Sequence, residues 1–464
     1  MKSKYSIIVS ILVLTSICFF SCKKEESDAE KLAKLNSEIM EWMYDAMDEV
    51  YFWNSTIPAY SLVKNETDPK AFFESLIYTQ EDRWSWLTED YASLMEEFDG
   101  TPTSMGISPA FGRFSGTDKV FIIVSYVYPG SPAERAGIER GDIIIKINGA
   151  ELTTANYYDL FDQNSYTVTL GHYFNGSISE SSNVVSLTAE IIDSNPIVFD
   201  TILEINSHKI AYMVYVEFIS GEKDILLDDF GMQIDEFKSQ GITDLIIDLR
   251  YNPGGEITAA NYLASCLAPL SVVSDKEIFV EFIYNPEIQL YFENYYGSDS
   301  ENLVNRFKST GHNIDLNRIY FITSDNSASA SELLMIGLEP YMEVIQVGDT
   351  TYGKYTGAWV LADTNEPPKH NWAIVPIVSK YSNSAGFTDF KNGLYPDYAL
   401  DDELLGAKQF GDLEDPMLGK AVELITGNPA PFKKSFANPI LYQKLRDPSQ
   451  NIKTNLFLPK PIYK

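Results

Sequence analysis

The chain has 464 residues, more than one compact core holds, and its 45% apolar and 13% aromatic content is that of a globular protein of about two to four domains. A formal charge of −31 argues against recognition of nucleic acid or anionic lipid through a basic patch. Three cysteines, two of them in the N-terminal segment (Cys18, Cys22, Cys266), cannot build a disulfide framework or a zinc site, and His172, His208, His312 and His370 lack ligand spacing, so no metal or cofactor is expected.

Residues 1–21 carry Lys2 and Lys4, then the apolar run Ile7–Phe20, and read as an export signal too short for a comfortable membrane span. Cys22 resembles the lipid-modified cysteine of bacterial lipoproteins, although Phe19 stands where an aliphatic residue is usual. That resemblance implies an exported cell-envelope protein held at a membrane, the outer membrane by preference, through lipid on Cys22; a signal cut elsewhere is the alternative. Residues 22–34 form a charged tether with nothing to bury. From Leu35 to Val50 apolar residues recur at helical spacing and open a helical domain over 35–100. Its dense aromatics, Tyr51-Phe52-Trp53 and Asp82-Arg83-Trp84-Ser85-Trp86, are expected to serve core packing.

Residues 104–192 are β-rich, with strand runs at Val120–Val124 and Asp142–Ile147. Gly130-Ser-Pro-Ala-Glu-Arg-Ala-Gly137, followed by Gly141-Asp142, Ile143–Ile147 and the Asn148-Gly149 turn, resembles the PDZ domains of bacterial proteases. Such domains take a peptide C-terminus as an added strand and hold its carboxylate in a backbone nest. The resemblance places that nest at Met105, Gly106 and Ile107, with an insertion, Ser108–Asp118, before the next strand.

Residues 196–430 alternate strand and helix: a strand at Lys209–Phe218, a helix at Asp224–Gln240 stopped by Gly241, a strand at Asp244–Arg250, a glycine turn Asn252-Pro-Gly-Gly-Glu256 and a helix at Thr258–Leu267. This pattern gives a parallel, helix-flanked sheet. Further on, the strand Arg318–Thr323 leads through Ser327, Ser329 and Ser331 into a helix, and Val344–Val347 leads into the loop Thr351-Tyr-Gly-Lys354. A serine at a strand-to-helix turn sits beside free backbone N–H groups, and a buried lysine kept neutral can serve as its base. Trp372–Ser379 reads as a strand, Asn392–Asp397 as a turn and Met417–Ile425 as a closing helix, while residues 431–464 receive no assignment.

Ser-Ala-Ser-Ala-Ser-Glu (327–332), with Gly-Lys following so that Lys354 lies 25 residues after Ser329, resembles the Ser/Lys core of the C-terminal processing peptidases, or tail-specific proteases. Asp-Leu-Arg-Tyr-Asn-Pro-Gly-Gly (248–255) resembles their second signature. The resemblance implies a multidomain α+β protein: a helical N-terminal domain, a PDZ domain and a crotonase-like α/β serine protease domain. It makes Ser329 the nucleophile and Lys354 the base, and forms an oxyanion hole from Ala330 and either Gly254 or Gly255. The substrate would be a peptide or protein held near its C-terminus. Family members often carry a glutamine four residues after the base; here that position is Ala358. The other reading is an inactive relative that binds peptides as an envelope lipoprotein. Oligomeric state has no sequence signal.

Overall fold

The computed structural model describes residues 27–174, 177–429, 442–445 and 456–458. The export segment and Cys22 lie outside the described residues. Helix α1 (Asp28–Val50) begins within the stretch expected to be a tether, because Ser27 and Glu30 close a capping box, the Glu30 carboxylate accepting the Ser27 N–H at 2.8 Å. The stripe Ile39, Met43, Met47 and Val50 is buried against the helix Pro69–Leu76 and the larger domain behind it.

Strands β1 (Ile107–Phe114) and β2 (Val120–Val127), helix α2 (Pro132–Arg135), strand β3 (Ile143–Ile147), helix α3 (Tyr157–Phe161) and strands β4 (Ser165–Phe174) and β5 (Ser177–Thr188) build the second unit. The segment expected as an insertion after the nest is mostly strand β1. Pro109 and Gly112 hide it from propensity, and it is held by antiparallel pairing to β2.

The third unit begins with β6 (Ile197–Ile205), β7 (His208–Tyr215), α4 (Ile225–Gln240), β8 (Asp244–Asp248), β9 (Gly255–Glu256), α5 (Ile257–Leu267), β10 (Ile278–Tyr284) and β11 (Val304–Arg306). It continues with β12 (Arg318–Thr323), α6 (Ala330–Leu338), β13 (Glu343–Gly348), β14 (Thr356–Ala358), β15 (Ile377–Ser382), β16 (Tyr398–Ala399) and α7 (Pro416–Thr426). One sheet has the order β6-β7-β8-β12-β13-β16, parallel except for β6. Its two faces separate by the period of two: on β7, Ala211, Met213 and Tyr215 face the core under α4, α5 and α6, while Ile210, Tyr212 and Val214 face α7 and the PDZ-side residues Phe121, Ile123 and Ile143. The single strand expected over Trp372–Ser379 is split at Pro376, which lacks an N–H: Ala373–Val375 pairs with Trp86–Thr88, whereas β15 pairs with β10 and β14.

Two short strands lie in the stretch without assignment. β17 (Tyr442–Lys444) joins the edge of β1, giving the order β17-β1-β2-β3-β4-β5. β18 (Leu456–Phe457) runs parallel to both β9 and β14, in a second sheet of order β9-β18-β14-β15-β10-β11.

Candidate active site

β12 ends at Thr323 and α6 starts at Ala330, so the three serines occupy the turn between a strand end and a helix start. Ser327 Oγ donates to Leu249 O at 2.7 Å and Ser331 Oγ donates to Asn252 O at 3.0 Å, so both hydroxyls stitch this turn to the glycine-bearing loop after β8. Ser329 differs. Its φ of 59° and ψ of −109° are costly for any residue with a Cβ, and its buried Oγ has no hydrogen-bond partner among the described residues.

Lys354 is fully buried on the loop between β13 and β14. Arg83, from the helical N-terminal region, donates to Tyr352 O at 3.0 Å, Gly353 O at 3.3 Å and Lys391 O at 2.9 Å, and lies over the Tyr352 ring. Trp84 meets Tyr355 edge-on. The aromatic-rich segment therefore packs in the core, as expected, and also clamps the lysine loop.

Two groups bring the serine turn and the lysine loop together. Glu332, on the first turn of α6, accepts the N–H of Ser329 and that of Lys354 on the same oxygen, each at 2.8 Å, while its other oxygen accepts Gly353 N–H at 2.6 Å and the Thr351 hydroxyl. The Tyr381 hydroxyl on β15 bonds the carbonyls of both Ser329 and Lys354. Burial pushes the Glu332 carboxyl up to about 7, against the lowering effect of those four donors. Burial also holds the Lys354 ammonium well below its ordinary range, opposed by the Asp82 and Glu332 carboxylates. Neither acid lies on the lysine loop: Asp82 comes from the N-terminal region and Glu332 from α6.

Ala330 is the first helical residue, so its N–H has no intrahelical acceptor. Gly254, with φ of 115°, packs its α-carbon against it: a Cβ there would lie 2.7 Å from Ser329 Cβ and 3.0 Å from Ala330 N. The Gly254 N–H donates to Asn252 Oδ1 at 2.9 Å, and Gly255 sits one residue further on, in β9. Ala358, at the family's glutamine position, is a buried β14 residue in register with Phe457 of β18.

Met105, Gly106 and Ile107 lie at the head of β1 beside the start of α2. Gly106 has φ of 80°, and a Cβ there would lie 2.2 Å from Ser131 Cβ, so only glycine fits. A cavity of about 240 Å³ runs from this edge, lined by Ile107, Phe111 and Tyr158, to Tyr251, Pro253 and Asn326 next to the serine turn. Three of the four histidines are engaged elsewhere: His312 with Asp235, His208 with Asp244 and His370 against the Trp42 ring. Among the described residues no cluster of three or more His, Cys, Asp or Glu side chains could hold a metal ion.

Sequence reading did not single out Glu332, Asp82, Arg83, Asn252 or Tyr381. The spacing Ser329-x-x-Glu332 is a capping-box signal that could have found the first. Tyr381 carries no local signal at all.

A serine turn and a buried lysine on a helix-flanked parallel sheet, with a PDZ-like unit packed on it, define a multidomain α+β protein of the protease type. The family description "Peptidase S41 N-terminal domain" matches residues 38–86, "PDZ domain" matches 123–170 and "Peptidase family S41" matches 209–400. The chain belongs to peptidase family S41, in its PDZ-bearing form. It is 24% identical over 328 residues to the chloroplastic C-terminal processing peptidase of Tetradesmus obliquus, a match that takes in 68% of this chain and 63% of that protein. It is 25% identical over 347 residues to the carboxyl-terminal-processing protease of Picosynechococcus, taking in 74% of this chain and 75% of that one. A solved Bacteroides fragilis structure assigned to the S41 proteases shares the fold with a TM-score of 0.69 at 22% identity, covering 83% of this chain and 97% of that one.

Proposed function

We propose that the chain is a serine endopeptidase that cleaves peptides or proteins held near their C-terminus. The observation that carries this reading is the Glu332 carboxylate, which binds the backbones of Ser329 and Lys354 through one oxygen and so fixes a hydroxyl and a depressed-pKa amine in one buried site. Neutral Lys354 Nζ takes the Ser329 proton as Oγ attacks the substrate carbonyl carbon. The oxyanion so formed is held by Ala330 N–H and by the Gly254-Gly255 turn. Gly254 is the one packed against Ser329 and Ala330, whereas Gly255 is packed against Phe218 O, and a developing oxyanion is a stronger acceptor than the neutral Asn252 amide that holds the Gly254 N–H at rest. Protonated Lys354 then gives its proton to the leaving amine, and water, deprotonated by the same lysine, releases the acyl group. Ala358 lacks the polar group that many family members place there, so Glu332 and Tyr381, acting through the backbone, position Lys354. The nest at Met105–Ile107 receives the substrate carboxylate, and lipid on Cys22 holds the protein at the cell envelope.

Turnover of an unstructured peptide with a free C-terminal carboxylate tests the reading. The unchanged protein is expected to cleave it, and Ser329→Ala and Lys354→Ala each to abolish cleavage with the fold retained, since the two act as one unit. Ser327→Ala and Ser331→Ala keep substantial activity. Peptide binding without turnover by the unchanged protein would leave the envelope peptide-binding reading instead. Release of Cys22→Ala from the membrane fraction checks the anchor.

A further inference from the structure

β1 bonds β2 on one side only, and its other edge is taken by the chain itself. β17 runs antiparallel along it with Tyr442 opposite Phe114, Gln443 opposite Arg113 and Lys444 opposite Gly112; beyond the strand, Leu445 N–H donates to Phe111 O at 2.9 Å. Side chains reinforce the pairing. Arg113 bonds Gln443, Lys444 pairs with Asp325 at 2.6 Å, four residues before Ser329, and the Tyr442 ring packs on Phe121 over Gly112, where any Cβ would lie 2.9 Å from it.

We propose that Tyr442–Leu445 is a built-in occupant of the peptide-binding edge of the PDZ domain, and that a substrate's C-terminal segment binds there by displacing it. The inference rests on reading that domain as the site that takes substrate ends. Three observations carry it. First, polarity: an antiparallel strand passing from Phe114 toward Phe111 heads for Met105–Ile107, the direction in which a peptide must run for its carboxylate to reach the nest. Second, packing: Leu445, like Tyr158 and Phe161 of α3, lies against the core that holds Phe111, and all four line one cavity, so its side chain sits on the side of β1 that faces α3, where a ligand side chain would sit. Third, vacancy: the half of β1 nearer the nest, Ile107–Ala110, lines the 240 Å³ cavity, and Lys444 and Leu445 form its far wall.

The competing strand is also tethered. β18 docks between β9 and β14, with Phe457 and Leu458 buried, so the segment is anchored beside the glycine turn as well as at the domain edge. Both anchors belong to one chain, which gives the occupant a high effective concentration, and an external peptide's apparent affinity falls by the fraction of molecules whose edge is free. A peptide end of roughly five or more residues reaches Phe111 from the nest and must compete, whereas a shorter one fits the open half.

The test uses the full chain carrying Ser329→Ala, so that peptide is bound and not consumed, and a labelled decapeptide with an apolar last residue and a free carboxylate, read by fluorescence anisotropy. Leu445→Asp is expected to tighten Kd by about tenfold, since it expels the occupant. Pairing Gln443→Cys with Arg113→Cys, opposite each other in the register, locks the occupant in place; oxidation is expected to weaken binding by about tenfold or more, and reductant to restore it. Kd unchanged by both the expelled and the locked forms would overturn the proposal, even if Leu445→Asp alone were uninformative through misfolding. No binding in any form would sink the peptide-end reading together with it, while absent turnover by the unchanged protein, with Ser329 intact, alongside Kd shifts as expected would sink only the catalytic reading.

Discussion

At the scale of single residues the site runs on opposed charges. Lys354 is buried, and burial depresses its pKa; Asp82 and Glu332 push it back up. The base form prevails above the folded pKa, so kcat/KM is expected to rise with pH along a limb set by Lys354 and then level off. Asp82 tunes that limb. Its Oδ1 accepts Trp84 N–H at 2.8 Å and Ser85 N–H at 2.9 Å, and its Oδ2 accepts the Tyr51 hydroxyl at 2.7 Å. Asp82→Asn keeps the shape and the two N–H bonds while removing a negative charge, which favours the neutral amine, so the limb should move to lower pH. A limb that stays put, or moves up, would take Asp82 out of the mechanism. Lysine also costs stability here: with its folded pKa depressed, the cost of burial is paid in full below that pKa and relieved as pH rises through it. Lys354→Met should therefore abolish turnover and raise stability below that pKa by about 1–2 kcal/mol, read by denaturant unfolding. Glu332→Gln should lower stability instead of raising it. An amide has one acceptor oxygen for four donors, and its NH₂ faces N–H groups, so stability should fall by about 1–3 kcal/mol along with activity.

At the scale of elements, the loops hold what the strands and helices only bring near. Gly254→Ala would set a Cβ at 2.7 Å from that of Ser329, on a backbone of φ 115°. About a hundredfold or greater loss of kcat with the sheet intact is the expected result. What was legible in the sequence follows the same division. The parallel sheet announced itself through buried strand runs and glycine-stopped helices, and α7 through its apolar spacing, because local pattern and tertiary burial agree there. The serine turn and the lysine loop were legible as motifs. Strand β1 was not, since Pro109 and Gly112 obey an edge geometry that only its neighbours reveal, and neither were β17 and β18, too short to carry a period. Arg83 was hidden for another reason: the three carbonyls it binds lie some 270 to 308 positions away, and nothing local marks such a clamp. Arg83→Ala should loosen the lysine loop, lowering kcat more than it raises KM; an effect on KM alone would assign Arg83 to substrate binding.

At the scale of the molecule, the PDZ-side unit and the protease unit meet through buried charge. Arg140, between α2 and β3, donates to Ser125 O at 2.7 Å, to Lys408 O at 2.9 Å and to the Tyr251 hydroxyl, and lies 3.8 Å from Asp402 and 4.0 Å from Asp415. Arg250, at the head of the glycine-bearing loop, contacts Asp248 at 2.8 Å, Asp415 at 2.9 Å and Asp402 at 3.3 Å. Two guanidinium groups thus face three carboxylates with almost no water, and losing one cation leaves excess buried negative charge. Arg140→Met is expected to destabilise by about 3–5 kcal/mol for that reason. Its signature is in the pH dependence. Burial raises the pKa of Asp415, but Arg250, the N–H of Leu418 and Arg140 more than offset it, so the carboxyl sits below its usual range. A depressed acid contributes stability above its unfolded pKa and loses it as pH falls through the folded one. Removing Arg140 raises the folded pKa toward the unfolded value, so the protein should lose stability at neutral pH and begin acid unfolding at higher pH. Far-ultraviolet circular dichroism followed from pH 7 to pH 2 reads the midpoint directly. An unchanged midpoint with lowered Tm would mean that Arg250 alone sets the charge state of the acids, and that Arg140 contributes through packing on Tyr251 and Phe410, whose rings lie 5.1 Å and 4.6 Å from its guanidinium carbon.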